Sequence, residues 1–308
     1  MNYDDYDTII VAFSGGKDSS AVVYNLIEEG VDMRKVELWH HDVDGMQEHF
    51  MDWPETREFC REVAKDLNLP LYMSWREGGF KQEMLRKDQP TGPVFWERPD
   101  GTLGTSGGKG PNGTRRMFPQ VSADLRVRWC SAYLKIDVMS AAINNQERFI
   151  GQRTLVVTGE RAEESPNRAK YKSFEDHRCN TKKRTVHHFR PILNWTEEQV
   201  WDILVRNTAL VHPAYWLGWG RLSCMTCIFG DADQWASAHA RDPGMVGILA
   251  GLEKSFGKTI KRTKSIEDLV EEGRPYARAQ AISNFRRVHP LGPGGMPDGA
   301  YSGGSGPN

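Results

Sequence analysis

Two hydrophobic periods alternate along this chain. Apolar and β-branched runs at residues 8–13, 35–43, 70–75, 154–160 and 186–193 carry the strand pattern. Between them lie segments of helical period. Residues 21–27 follow the first strand closely. Residues 54–67 open on Pro54 and place Phe59, Val63 and Leu67 on one face. Residues 127–146 form another, and a capped amphipathic helix begins at Thr196, with Glu198 and Gln199 in its first turn. Strands alternating with helices at this spacing predict parallel βαβ units and an α/β fold with a doubly wound parallel sheet. The run at 8–13 is apolar throughout, as a strand buried on both faces requires. In such sheets ligands sit at the carboxyl ends of the strands, where strand order reverses.

Two stretches break the rhythm. Residues 89–128 are rich in glycine and proline (PDGTLGTSGGKGPNGTRR at their centre) and read as an inserted loop, a functional lid, a binding element or disorder, with a mobile centre at 101–113. Helical patterns at 233–240, 245–255, 266–272 and 275–287 predict a helical C-terminal portion, and residues 290–308 read as a disordered tail. The expected organisation is an α/β domain over 1–210, a cysteine-containing helical region over 211–289, and the tail.

Composition narrows the class. The 308 residues are 26% charged and 39% hydrophobic, with a net charge of −1 and a mean hydropathy of −0.59. No apolar run reaches membrane-spanning length, and the acidic start is no signal segment, so the expected location is cytoplasmic with no membrane partner. Near-neutral charge provides no global field for nucleic acid, although arginines cluster at 115–128 and 178–184 as a local groove for a polyanion. Five cysteines, an odd number, argue against a disulfide framework and toward metal binding or catalysis.

The chemistry concentrates where the first strand meets the first helix. Ser14-Gly15-Gly16-Lys17-Asp18-Ser19 is a glycine turn entering a helix N-terminus, a geometry that presents backbone N–H groups and a positive dipole end to phosphate. It is not a Walker A loop: Val11 stands where that motif needs glycine, and Asp18 rather than Ser or Thr follows Lys17. Asp42 and Asp44 fall at the end of the second strand, facing the same crevice or capping a turn. Gly159, Glu160 and Arg161 follow the fourth strand, where Arg161 is placed to contact phosphate, adenine or an anionic acceptor and Gly159 permits close backbone approach. Cys224 and Cys227 have metal-ligand spacing, with Cys130 and Cys179 available as further ligands; four thiolates suit an iron–sulfur cluster or zinc. Arg128 and Lys135 flank Cys130 and are expected to depress its thiol pKa. Cys60 reads as a core thiol.

The SGGKDS turn resembles the PP-loop of the ATP pyrophosphatase and PAPS reductase superfamily, the adenine nucleotide alpha-hydrolases. HDVDGM followed by PETREFC, then RWCSAYLK, GERAEESPNR and RPILNWTEEQVWDIL extend the resemblance over roughly residues 5–230, most like the ATP-hydrolysing component of DNA phosphorothioation (Dnd-type) systems. The resemblance implies ATP and Mg²⁺ as cofactors, with Ser14, Gly15, Gly16, Lys17, Asp18, Ser19, Asp42 and Gly159 holding the nucleotide. It also implies catalytic roles for Lys17, Asp18, Arg161 and Cys130. The reaction implied is adenylation of an oxygen, releasing pyrophosphate, for sulfur incorporation into DNA or RNA, with a cysteine desulfurase or other donor supplying sulfur. A [4Fe–4S] cluster on Cys130, Cys224 and Cys227, with Cys179 as fourth ligand or bystander, would accompany it, with zinc as the alternative metal. Sulfate adenylylation is the rival enzyme reading, and a non-catalytic nucleotide-binding sensor or assembly subunit the rival from another class. One departure is plain: no cysteine follows Cys227, so the C-terminal thiol of true PAPS reductases is missing.

Overall fold

The computed structural model describes residues 1–282, 284–288 and 295–301. Its centre is an eight-stranded sheet in the order β5-β4-β3-β2-β1-β6-β8-β7. The strands are β1 (Thr8–Ala12), β2 (Val36–Asp42), β3 (Leu71–Arg76), β4 (Val94–Glu97), β5 (Leu103–Ser106), β6 (Arg153–Val157), β7 (Phe174–Asp176) and β8 (Thr185–Phe189). β3, β2, β1, β6 and β8 run parallel, and β4, β5 and β7 add antiparallel edges. β1 lies between β2 and β6, so the chain leaves β1 toward one side and later returns on the other. That reversal puts the crevice at the end of β1.

Alternation along β1 divides the core. Ile9 and Val11 pack with α1 (Lys17–Glu28), α2 (Thr56–Asp66) and α6 (Glu197–Arg206) on one face. Ile10 packs on the other with Val138, Met139 and Ala142 of α5 (Asp137–Asn144). α3 (Gly79–Leu85) supplies Phe80 and Met84 to a third cluster. The same cluster takes Trp129 from the short helix α4 (Trp129–Ser131), Ala214 from α7 (Pro213–Trp216), Trp235 from α8 (Ala232–Arg241), Leu249 from α9 (Pro243–Phe256) and Leu269 from α10 (Ile266–Glu272). This third cluster is where the C-terminal helices meet the end of the sheet. Thr196 caps α6 as its sequence predicts, its side chain accepting the Gln199 N–H at 3.2 Å while Gln199 answers at 2.8 Å.

Four expectations need correction. The glycine-rich insertion is not loop throughout: residues 94–106 fold β4 and β5 into a hairpin on the sheet edge, where Gly104 lets the strand lie flat on Trp96, while 107–128 hold no strand or helix of their own. The 127–146 helix is interrupted by a π-helical turn, Ala132–Ile136, between α4 and α5. The helix expected over 275–287 is turns and a short strand β10 (Arg286–Arg287), which pairs with β9 (Leu210–Val211). The expected tail is described only at 295–301, where Arg278 Nε lies 3.0 Å from Asp298 and Met296 packs against the core; 290–294 and 302–308 lie outside the described residues. No helix among the described residues is long and apolar enough to cross a membrane.

Candidate active site

At the carboxyl end of β1, the Phe13 N–H donates to the Trp39 carbonyl at 2.8 Å and keeps the chain on β2 until the turn begins. Gly15 then adopts φ +79°, a left-handed conformation that side chains resist, and a Cβ there would lie 3.2 Å from Phe59 and 3.3 Å from the Cys60 sulfur. Gly16 stands at the N-cap of α1 with no side-chain cap. The Ser14 hydroxyl accepts the Gly16 N–H at 3.3 Å, and the Ser19 hydroxyl donates to the Gly16 carbonyl at 2.9 Å. The turn is thus held from both sides while the helix N-terminus faces the crevice.

Three charges close over it. Lys17 Nζ sits 3.2 Å from Asp18 and 3.4 Å from Glu197. Arg161, only 4% exposed, donates from Nε to the other Asp18 oxygen at 2.6 Å and also pairs with Glu163. Burial alone would lower the Lys17 pKa, but Asp18, Tyr215 and Glu197 outweigh it and hold it above its ordinary value. Burial alone would raise Asp18; Lys17 and Arg161 together keep it below the usual carboxylate value. Both groups stay ionised. Gly159 is what lets Arg161 arrive: a Cβ there would stand 2.9 Å from the Asp18 backbone carbonyl. Ser14, Gly15, Gly16, Lys17, Asp18, Ser19, Gly159 and Arg161 therefore form one constellation at the switch point.

Asp42 lies one strand over. It is 4% exposed, accepts the N–H groups of Asp44 at 2.9 Å and Met46 at 3.1 Å, and is paired with Arg57. Asp44 accepts from Phe50, Met51 and Asp52 at 2.8–3.2 Å, so it shapes the following loop. With Asp52 and Arg57 these carboxylates line a cavity of about 140 Å³ beside α2. Burial, then the charge of Asp44, lifts the Asp52 carboxyl to about 7.

The cysteines divide. Cys130, Cys224 and Cys227 pack against the C-terminal cluster, and Arg128 and Arg221 both lie over the Phe229 ring, at 5.9 and 6.0 Å, which draws the two segments together. Cys179 is elsewhere: it is 1% exposed in the core beneath α5, its sulfur 3.9 Å from the Ser140 carbonyl. Among the described residues no three His, Cys, Asp or Glu side chains are arranged to hold a metal. The expected depression of the Cys130 thiol is reversed. Burial, then Cys227, raises it to about 11, and Lys135 and Arg128 only moderate the rise. Lys135 is exposed on the π-helical turn, and its charge also reaches Cys224, Asp52 and His40.

Several members of the basic runs have partners in the protein, some of them on the surface. The Arg115 guanidinium sits 4.6 Å from the centres of both the Trp129 and Tyr133 rings and 2.8 Å from Glu83. Arg126 pairs with Asp124, Arg178 with Asp137, and Arg184 donates to the Ile143 carbonyl. The pattern of the sequence also passes over Tyr215, Leu222 and Glu197. Tyr215 and Leu222 fall in or beside an aromatic, glycine-rich segment with no motif of its own, and Glu197 looked only like a helix-start acid.

Comparison with known proteins adds two family matches and one relative. The phosphoadenosine phosphosulfate reductase domain matches residues 108–229, and the tRNA methyl transferase HUP domain matches residues 7–88. An uncharacterized 37.8 kDa protein of Escherichia phage 186 is 32% identical over 280 residues, covering 83% of this chain and 77% of that protein. Among solved structures, Candida glabrata FMN adenylyltransferase with FAD and inorganic pyrophosphate aligns at TM-score 0.39 and 13% identity, over 71% of this chain and 55% of that one. The same enzyme with FMN and the ATP analog AMPCPP aligns at TM-score 0.39 and 12% identity. The chain thus spans little more than half the length of that enzyme.

Proposed function

The chain belongs to the family of the phage 186 protein and to the adenine nucleotide alpha-hydrolase superfamily, and we propose that it is an ATP pyrophosphatase that adenylates an acceptor oxygen for sulfur incorporation. The observation that carries this reading is the joining of the 14–19 turn to Arg161 through Asp18, at the point where strand order reverses. Backbone N–H groups, the N-terminal dipole of α1 and Lys17 together suit a pyrophosphate leaving group. Arg161 adds a fixed positive charge on the β6 side, suited to charge developing at the α-phosphate. The acceptor oxygen attacks the α-phosphorus, the bond from that phosphorus to the α,β-bridging oxygen breaks, and pyrophosphate leaves with its β,γ bridge intact. A persulfide formed on one of Cys130, Cys224 and Cys227 by a donor such as a cysteine desulfurase then attacks through its outer sulfur and displaces AMP, and a second of these thiols cleaves the sulfur–sulfur bond, releasing the product and leaving a disulfide.

Asp18, held ionised at the turn, is the residue that would share Mg²⁺ with the substrate phosphates; the ion would neutralise phosphate charge. A cluster on four thiolates does not fit the residues present, because Cys179 is in a different core. Cys130, Cys224 and Cys227 are accordingly assigned as thiols that receive or orient sulfur. Nucleic acid as acceptor rests on motif order; of the arginine runs, Arg115 is buried against Glu83, while Arg126 and Arg178 are exposed.

The test is product analysis. With Mg²⁺ and ATP, the protein is expected to release AMP and pyrophosphate, and Lys17→Ala and Arg161→Ala each to lower the rate by on the order of 10²-fold or more. ADP and orthophosphate as main products would overturn the assignment, and pyrophosphate release only with sulfate would favour sulfate adenylylation.

A further inference from the structure

The nucleotide turn and the cysteine turn are far apart in sequence, yet one hydroxyl joins them. Tyr215 is fully buried, and its oxygen accepts the backbone N–H of Lys17 at 3.0 Å and that of Leu222 at 3.2 Å. Leu222 in turn lies against the glycines: Cβ atoms placed on Gly15 and Gly16 would be 3.6 and 3.5 Å from its side chain. Two residues beyond Leu222 begins Cys224-Met225-Thr226-Cys227. The Tyr215 ring is held edge-on to Trp201 at 5.3 Å, so the hydroxyl has a fixed place. We propose that Tyr215 is a positioning residue that couples nucleotide occupancy of the 14–19 turn to the placement of the Cys224–Cys227 turn, an inference that rests on the reading of that turn as the ATP site.

The physical case starts from donors and acceptors. The Lys17 N–H is the first of the α1 amides that have no partner within the helix, and these are the groups a phosphate uses. Here it is already taken by a neutral oxygen. A phosphate oxygen is the stronger acceptor, since charge-assisted hydrogen bonds are roughly twice as strong as neutral ones. A nucleotide entering the turn therefore draws this N–H away from Tyr215. The tyrosine has used both acceptor positions, and its own hydroxyl hydrogen has no acceptor among the described residues. Relieved of Lys17, the hydroxyl turns this unused donor toward the phosphate. The oxygen, fixed in place, then accepts from the Leu222 N–H alone, and this strengthened bond draws in the backbone that leads into Cys224. Sulfur chemistry is then assembled only when there is an activated oxygen to receive it.

The experiment reads cysteine labelling rather than turnover. The full chain is treated with iodoacetamide with and without AMPCPP, and the rate at each cysteine is followed by peptide mass spectrometry, with buried Cys179 as internal reference. In the wild type, saturating AMPCPP is expected to change the Cys224 and Cys227 rates by about fivefold or more. Tyr215→Phe should still bind AMPCPP by titration calorimetry, with the ratio reduced to about one. Leu222→Ala keeps the backbone N–H and should keep the coupling. Unchanged labelling in wild type with AMPCPP bound, or full coupling in Tyr215→Phe, overturns the inference and leaves the ATP reading intact. Loss of coupling in Leu222→Ala alone would assign the link to packing and also overturn it. Failure of the wild type to bind AMPCPP overturns both readings. If Tyr215→Phe does not fold, the wild-type and Leu222→Ala measurements still decide.

Discussion

At the carboxyl end of β2, Asp52 shares its recess with Asp44 and Asp42, and its carboxyl titrates at about 7 because burial and then Asp44 disfavour the charge. An unfolded Asp titrates near 4, so the folded state binds more protons between roughly pH 4 and 7. Stability from this group is therefore lost as pH rises through that window. His212 acts in the opposite sense. It is buried, caps α7 by accepting the Ala214 N–H at 3.1 Å, and has its pKa lowered to about 3, first by burial. An unfolded His titrates near 6.5, so stability is lost as pH falls from there toward the folded value. Urea midpoints measured from pH 4 to 8 should separate the two: Asp52→Asn removes the loss on the alkaline side and leaves the acid-side decline. A midpoint profile identical to wild type would show that Asp52 does not titrate as described. Cys179, enclosed beside Ser140, is expected to be dispensable for chemistry, so Cys179→Ala should keep the AMP-forming rate while costing some stability through the small cavity it leaves.

At the scale of elements, the glycine-rich insertion shows how a loop-like composition can encode an edge hairpin. β4 buries Val94 and Trp96 and exposes its other residues partly, and Gly104 on β5 leaves room for the Trp96 ring, to which a Cβ would come within 2.2 Å. Gly104→Ala is expected to destabilise the protein by about 1–3 kcal/mol, the usual cost of overpacking, measurable as a lowered urea midpoint without loss of AMPCPP binding. The π-helical turn is the second such case. It adds one residue to the helix between Cys130 and Asp137, and the added residue brings Lys135 out at the crevice while Leu134 stays buried. A hydrophobic repeat read at the α-helical period does not show such an insertion.

The whole molecule is organised by the meeting of two loops at the carboxyl ends of the neighbouring strands β1 and β6. The 14–19 turn and the Gly159–Arg161 loop belong to strands that are neighbours in the sheet but lie about half the chain apart in sequence. Gly159→Ala would drive a methyl group into the Asp18 backbone, shifting Arg161 from its carboxylate partner. The expected result is a folded protein with ATP turnover lowered on the order of 10²-fold, as displacements of about 1 Å at a reacting centre produce. An unchanged rate would mean that the Arg161–Asp18 contact is not part of the chemistry.

The mostly parallel α/β sheet, the glycine turn after β1 and the arginine after β6 were legible from local pattern, because each is set by residues adjacent in sequence: a continuous apolar run, two glycines before a helix, a Gly-Glu-Arg step after a strand. For Asp42 the same reasoning left crevice and turn cap open; its side chain accepts the amides of Asp44 and Met46, and its partner Arg57 on α2 was not visible in the pattern. What pattern could not supply were the long-range pairings. Tyr215 meeting Lys17, Glu197 completing the charge cluster, and Cys179 parting from the other three cysteines depend on how α5, α6 and the C-terminal helices pack on the sheet. The direction of the Cys130 shift belongs with these. Two nearby cations are visible in the sequence, but the burial that outweighs them exists only once Trp129 and the C-terminal helices have closed around the thiol, since desolvation is a property of the folded environment and not of neighbouring residues in the chain.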